Sequence, residues 1–432
     1  MTRAIVLAAA NSGAGKTTLT LGLLRALKNR GINVRAAKSG PDYIDPAFHA
    51  VACGHPSINL DAWAMTPAAI RGYATSQQGD LLIVEGAMGV LDAGADNKGS
   101  VADLARILGV PIVMVLDIAK QAQSAALSLA GLTALRPDIP IAGTILNRAG
   151  SAKHVKMAKG AIERAGFDGF GHVQRNNNFT LPERHLGLVQ AAENKLLDEY
   201  LDQLADEIEK TIDVEGILAC ATPLTTPTDV VQKLPPLGQR ISVASDLAFS
   251  FIYPHLLADW HSQGASIHTF SPLNDEGPAP DADAVFLPGG YPELHAQKLA
   301  NAVNFKKTMN TAAQNDALIY GECGGFMVLG NGLIDAKGET HEMLGFLPLT
   351  TSFETRKLSL GYRRLTPCAN AFFQTPLLAH EFHYSTIAHQ GDAQPLFKAR
   401  DATHTDLPDM GLQNGRILGS YAHIIAPNAG ER

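Results

Sequence analysis

The sequence predicts two α/β domains in tandem: a P-loop, doubly wound, mostly parallel sheet, then a second α/β domain built around a glycine-flanked cysteine. Three observations predict it. Short apolar runs alternate with helical patterns along most of the chain, which is the rhythm of βαβ units. The apolar run Ala4-Ile-Val-Leu-Ala-Ala9 leads directly into Ala10-Asn-Ser-Gly-Ala-Gly-Lys-Thr-Thr18 and a helical pattern from Leu19 to Leu27. The alternation then lapses between residues 213 and 238, where Thr222-Pro-Leu-Thr-Thr-Pro-Thr228 and Leu234-Pro-Pro-Leu-Gly238 are rich in proline and threonine, and it resumes at Gln239. A chain of 432 residues exceeds one ordinary core. One domain is therefore placed over 1–212, a linker over 213–238 and a second domain over 239–432.

Composition narrows the function classes. Apolar residues make up 46% of the chain and charged residues 18%, which indicates a folded globular protein. A formal charge of −7 argues against general affinity for nucleic acid or an anionic membrane. The N-terminus enters a strand without a basic segment and apolar signal core, and no run of about 18 apolar residues follows. A soluble, cytoplasmic protein is expected. Four cysteines, Cys53, Cys220, Cys323 and Cys368, form no C-x-x-C pair, so neither a disulfide framework nor a structural zinc site is expected. His380-Glu-Phe-His383 has a superficial ligand spacing, but no second ligand pair accompanies it.

The turn after the first strand has the composition of a phosphate cradle. Backbone N–H groups of Ser12, Gly13, Ala14, Gly15 and Thr18 surround the anion at a helix N-terminus, Lys16 reaches the outer phosphates, and Thr17 can ligate Mg²⁺. The usual leading glycine is Ala10 here. ATP is the expected ligand. The second strand, Asn33 to Ala37, runs into Lys38-Ser-Gly-Pro-Asp-Tyr-Ile-Asp-Pro46, a polar loop at the carboxyl end of the sheet. Ligands gather at that end, so Lys38, Asp42, Tyr43 and Asp45 are candidates for substrate contact, Asp45 also for metal. Asp80-Leu-Leu-Ile-Val-Glu-Gly-Ala-Met-Gly89 is a buried strand ending in a carboxylate; Glu85 is the expected Mg²⁺ neighbour. A helix from Ser100 to Leu108, a strand from Val110 to Asp117, a helix from Gln121 to Arg136 and a strand from Ile139 to Asn147 continue the alternation. Asn147, at a strand end, is placed to contact the nucleotide base. Residues 193 to 211 read as helix.

In the second half, Gln239 to Asp246 reads as a strand and Phe249 to Leu257 as a helix. Asp283-Ala-Val-Phe-Leu-Pro-Gly-Gly-Tyr-Pro-Glu293 is a strand ending in a glycine turn. Ala317-Leu-Ile-Tyr-Gly-Glu-Cys-Gly-Gly-Phe-Met-Val-Leu329 is a strand, a tight turn and a helical run. A reactive side chain on such a turn is exposed between small neighbours, and the following helix dipole favours a thiolate. The N–H of Gly324, with those of Gly289 and Gly290, can form an oxyanion hole. A nucleophilic cysteine needs a base, usually histidine. His423 ends a strand-like run, but the chain has 15 histidines and spacing alone does not single it out.

Gly321-Glu-Cys-Gly-Gly325, Pro288-Gly-Gly-Tyr-Pro-Glu293 and Gly419-Ser-Tyr-Ala-His423 together resemble a class I-type glutamine amidotransferase domain. The first half, with Lys38 to Pro46 and Val84-Glu-Gly-Ala-Met-Gly89, resembles the dethiobiotin synthetase-like ATPases. In this order the two halves resemble the cobyrinic acid a,c-diamide synthase family of corrin biosynthesis. Asn59-Leu-Asp-Ala-Trp63, Leu360-Gly-Tyr-Arg363 and His380-Glu-Phe-His-Tyr384 share that resemblance. It implies Cys323 as nucleophile, His423 as its base, and ATP- and glutamine-dependent amidation of a ring carboxylate through an acyl phosphate. The implied partners are hydrogenobyrinic or cobyrinic acid, glutamine and ATP, with Mg²⁺; a homodimer is compatible with it. The segment Ser352 to Arg363 leans toward the metal-free hydrogenobyrinic ring. Many class I amidotransferases carry an acid two residues after the histidine. Ile425 stands there, leaving either another carboxylate or a Cys–His dyad. Three alternatives fit less well, and a degenerate amidotransferase scaffold is one, since both Cys323 and His423 are present. Cobyric acid synthase has a more divergent phosphate loop, and ParA/MinD-like switch ATPases need a second lysine near Ala10 and Asn11 and have no use for the cysteine turn.

Overall fold

The computed structural model describes residues 1–176, 179, 183–184, 187–188, 190–194, 196–369 and 371–430. The chain forms two compact units, Met1–Val231 and Gln232–Arg432.

The first unit is a parallel sheet. Its strands are β1 (Arg3–Ala9), β2 (Val34–Ser39), β3 (Ile58–Leu60), β4 (Leu81–Glu85), β5 (Ile112–Asp117), β6 (Ile141–Ala149) and β7 (Gly169–Gln174). Their order is β3-β2-β4-β1-β5-β6-β7. The near-continuous apolar runs of β1 and β4 follow from burial on both faces, since helices cover both sides of such a sheet. Because β1 lies between β4 and β5, the strand order reverses there, and the crevice above the carboxyl ends is where ligands sit in this architecture. Helix α1 (Lys16–Asn29) leaves β1 through the loop 10–15 and buries Leu19, Leu21, Leu23, Leu24 and Leu27. Gly22 lets the helix Leu197–Thr211 approach closely: a Cβ there would lie 2.8 Å from Ile208.

The unit boundary falls between Val231 and Gln232, within the stretch expected to be a linker. Val214–Cys220 is a helix capped by Asp213, and Thr222–Pro223 pairs antiparallel with Arg3 and Ala4 at the start of β1. Such a short strand offers too little periodicity to be read from sequence. The expected helix 121–136 is a 3₁₀ turn, Gln123–Ala125, followed by the helix Ala126–Leu135.

The second unit holds a ten-stranded mixed sheet. Its parallel part runs Ser266–Phe270, Arg240–Ala244, Ala284–Leu287, Leu318–Glu322 and Ile417–Ser420 in spatial order. An antiparallel extension follows: Asp406–Asn414, Gln394–Asp401, Ser359–Pro367, Leu377–His383 and His423–Pro427. The helix expected over 249–257 begins only at Pro254. Proline holds the residue before it extended. Phe251 instead bridges to Gly289, its N–H donating to the Gly289 carbonyl at 2.9 Å. Among the described residues no helix is long and apolar enough to cross a membrane.

Candidate active site

The phosphate loop has the backbone its residues imply. Gly13 and Gly15 hold φ of 75° and 87°, a region that glycine enters without steric cost. Gly15 caps α1, so Lys16 and Thr17 start the helix. Nζ of Lys16 donates to the carbonyls of Asn11 (3.2 Å) and Met88 (2.5 Å). Burial, followed by the nearby Lys38 ammonium, lowers the Lys16 pKa to about 8. Ser12 and Gly13 are exposed, Ala14 is buried, and Thr18 lines a cleft of about 840 Å³ with Asn11, Asp117, Asn147 and Arg148. The Asn147 amide is committed to the loop, donating to the Ala14 carbonyl at 2.8 Å. A Cβ on Gly15 would meet that amide at 2.2 Å.

Behind the loop lies a buried polar cluster. Glu85, wholly buried at the end of β4, accepts from Thr17 Oγ1 at 2.5 Å and from Lys38 Nζ at 2.8 Å through one oxygen. Its other oxygen lies 2.6 Å from His49 Nε2, and His49 Nδ1 lies 3.2 Å from Ser57 Oγ. Lys38 also donates to Asp45. Burial alone would raise Glu85; the Lys38 ammonium and the His49 hydrogen bond reverse this and hold it well below the carboxylate range. At Asp45 that compensation falls short: burial, then Asp42, raise it to about 6 against the pull of Lys38. Thr17, Glu85 and Asp45 offer a hard cation such as Mg²⁺ the oxygen donors it prefers, and so fit it.

Asp42 serves the start of helix α2 (Ile44–Cys53), its carboxylate accepting from the N–H groups of Ile44 (2.7 Å) and Asp45 (3.2 Å). Tyr43 is the N-cap residue. The Asn59 amide donates to the carbonyls of Gly40 and Asp42, which explains the Asn59-Leu-Asp-Ala-Trp63 segment as the brace of this loop. Sequence reasoning missed His49. It sits on α2 four residues after Asp45, and that helical spacing was the available signal.

In the second unit Cys323 occupies the turn between the strand Leu318–Glu322 and the helix Gly324–Leu329. Its φ of 45° and ψ of −101° are strained for a residue with a side chain. The turn is enforced by packing. A Cβ on Gly325 would lie 1.8 Å from the Leu287 carbonyl, and one on Gly324 would lie 3.0 Å from the Gly290 nitrogen. A Cβ on Gly289 would lie 2.4 Å from Cε1 of His423. Gly289, Gly290, Gly324 and His423 therefore share one small volume. The Cys323 N–H donates to the Ser420 carbonyl at 2.8 Å, three residues before His423. Both side chains are buried, at 4% and 1% exposure.

The helix dipole does not prevail at the thiol. Burial, followed by the carboxylates Glu293 and Glu381, pushes the Cys323 pKa far up, against the Gly324 N–H, which pulls down. A six-residue helix has too little dipole to offset that. Beside the thiol, Glu381 joins Arg363 (2.7 Å) to His383 (2.8 Å), and His383 stacks on Tyr421 with centroids 3.7 Å apart. His380 and His383 lie on opposite faces of one strand, so their spacing does not make a ligand pair.

Comparison with known proteins covers both halves. Residues 5–189 match the CobQ/CobB/MinD/ParA nucleotide binding domain, and residues 240–430 the CobB/CobQ-like glutamine amidotransferase domain. The chain is 49% identical over 423 residues to "Hydrogenobyrinate a,c-diamide synthase" of Rhizobium meliloti, with 98% of each chain covered. It is 48% identical to the protein of that name from Brucella abortus and 47% identical to that from Mesorhizobium japonicum, again over 98% of each chain.

Proposed function

The chain belongs to the hydrogenobyrinate a,c-diamide synthase family, and from that premise we infer that it converts the a and c acetate carboxylates of a corrin-type ring to amides. It uses ATP and glutamine, as a step of cobalamin biosynthesis. The observation that carries this is the pairing, in one chain, of the Lys16–Thr17–Glu85 cluster with the Cys323–His423 turn, over a length its relatives share almost completely. Hydrogenobyrinic acid is the favoured ring, since the curated relatives compared above carry that name.

Two chemistries divide between the units. His423 takes the thiol proton and Cys323 sulfur attacks the side-chain amide carbon of glutamine. The C–N bond breaks, the proton leaves with ammonia, and water hydrolyses the thioester to glutamate. The N–H groups of Gly324, Gly289 and Gly290 receive the oxyanion. In the other unit a ring carboxylate takes the terminal phosphoryl group of ATP, giving an acyl phosphate and ADP. Ammonia then attacks the acyl carbon and phosphate departs. A carboxylate cannot be displaced directly because its leaving group would be oxide. Lys16 and the loop N–H groups position the phosphates, while Lys38 and His49 keep Glu85 ionised. Thr17, Glu85 and Asp45 would hold Mg²⁺, which would supply charge neutralisation there. Lys38, Asp42, Tyr43 and Asp45 form the acceptor side, with Asp42 acting through the shape it gives the loop.

The test is direct. Protein, ATP, Mg²⁺ and glutamine are incubated with hydrogenobyrinic or cobyrinic acid, and mass spectrometry follows two successive carboxylate-to-amide conversions. Cys323→Ala is expected to lose glutamine-dependent synthesis and keep synthesis from ammonium salt. Equal loss of both would refute the division of labour.

A further inference from the structure

We propose that Glu322 is the residue that orients His423, filling the role that Ile425 cannot. Glu322 immediately precedes Cys323, is 2% exposed, and places Oε2 3.7 Å from Nδ1 of His423. Its other oxygen is fixed from two sides. The Tyr320 hydroxyl donates to Oε1 at 3.0 Å from the same face of the strand, and the Ile424 N–H donates to it at 3.0 Å. These two bonds turn Oε2 toward the imidazole and tie the His423 backbone to the residue next to the nucleophile. A separation of 3.7 Å exceeds a formed hydrogen bond, and such contacts commonly tighten only when substrate binds. A carboxylate kept in a buried site beside an imidazole that must become a cation has a clear electrostatic use.

Ile425 is apolar and 1% exposed, and its carbonyl accepts from His255 at 2.9 Å. His380 pairs with His423 from the neighbouring strand; burial, and then His423 itself, lower it to about 3, so it is neutral, and an imidazole offers no anionic partner in any case. Cys323, Glu293, Glu381 and Tyr320 are further ionisable groups around this turn, and Arg363, His383 and Tyr421 stand beside Glu381.

This proposal rests on Cys323 and His423 being the glutamine-hydrolysing pair. In the full chain, Glu322→Gln keeps the size and the Oε1 acceptor. It is expected to lower kcat for glutamate release about 10²-fold with KM for glutamine within about twofold. Unchanged kcat, or a rise in KM that accounts for the whole loss of kcat/KM, overturns the proposal. As a measurement independent of any variant's folding, ¹⁵N NMR of the parent protein is expected to show the His423 proton on Nδ1; the Nε2–H tautomer overturns it. Glutamate release by Cys323→Ala would instead defeat the underlying assignment, so the two failures are distinct.

Discussion

At Lys16 burial and a second ammonium act together and lower its pKa to about 8. Phosphate oxygens favour its charged form, so the lysine is expected to take up more protons on ATP binding at pH 8 than at pH 6.5. Calorimetry in buffers of different ionisation heat measures this; equal uptake at both values would contradict it. By the same sign, affinity for ATP declines as pH rises through 8 and beyond. Such couplings were only partly legible in the chain. Lys16, Thr17 and Glu85 stand beside recognisable turns and strand ends, and the structure gathers them with Lys38 and Asp45. His49 left only its helical spacing from Asp45 as a signal, and Glu322 left none, because each acts on a neighbour brought close by tertiary packing: His49 reaches a carboxylate 36 positions away, and Glu322 a histidine 101 positions away. Asp42 reads as a ligand in the sequence, whereas its oxygen caps a helix, a local use that composition does not distinguish.

The cysteine turn shows what an element contributes beyond its residues. Gly289, Gly290, Gly324 and Gly325 are packed so closely that any added carbon would displace backbone or the imidazole. Cys323 has to hold its positive φ against that wall. At such a position glycine is relaxed and alanine keeps the strain, the reverse of their order in ordinary strands. Cys323→Gly is expected to be more stable than Cys323→Ala by about 1 kcal/mol in chemical denaturation, with neither releasing glutamate. A more stable alanine variant would show that the turn is not strained. Strand, turn and helix were legible here because glycines flank a single cysteine. The two-residue strand Thr222–Pro223 was not, because its partner at the start of β1 fixes it, whereas the helix start was marked by Pro254 itself.

Over the whole molecule, one chain carries an ammonia-releasing unit and an ammonia-consuming one. Lys16→Ala is expected to stop amide formation while glutamate release continues, measured by parallel assays of the two products. Unchanged amidation would remove Lys16 from ATP chemistry. The bipartite plan was legible from the change of rhythm between residues 213 and 238, and the unit boundary falls within that stretch. The buried Cys323 has a further consequence. Peroxides attack thiolates, and a thiol held protonated by its surroundings is a poor target. Between turnovers the same burial and negative charge that delay ionisation of the reactive sulfur also make it a poor target for peroxide.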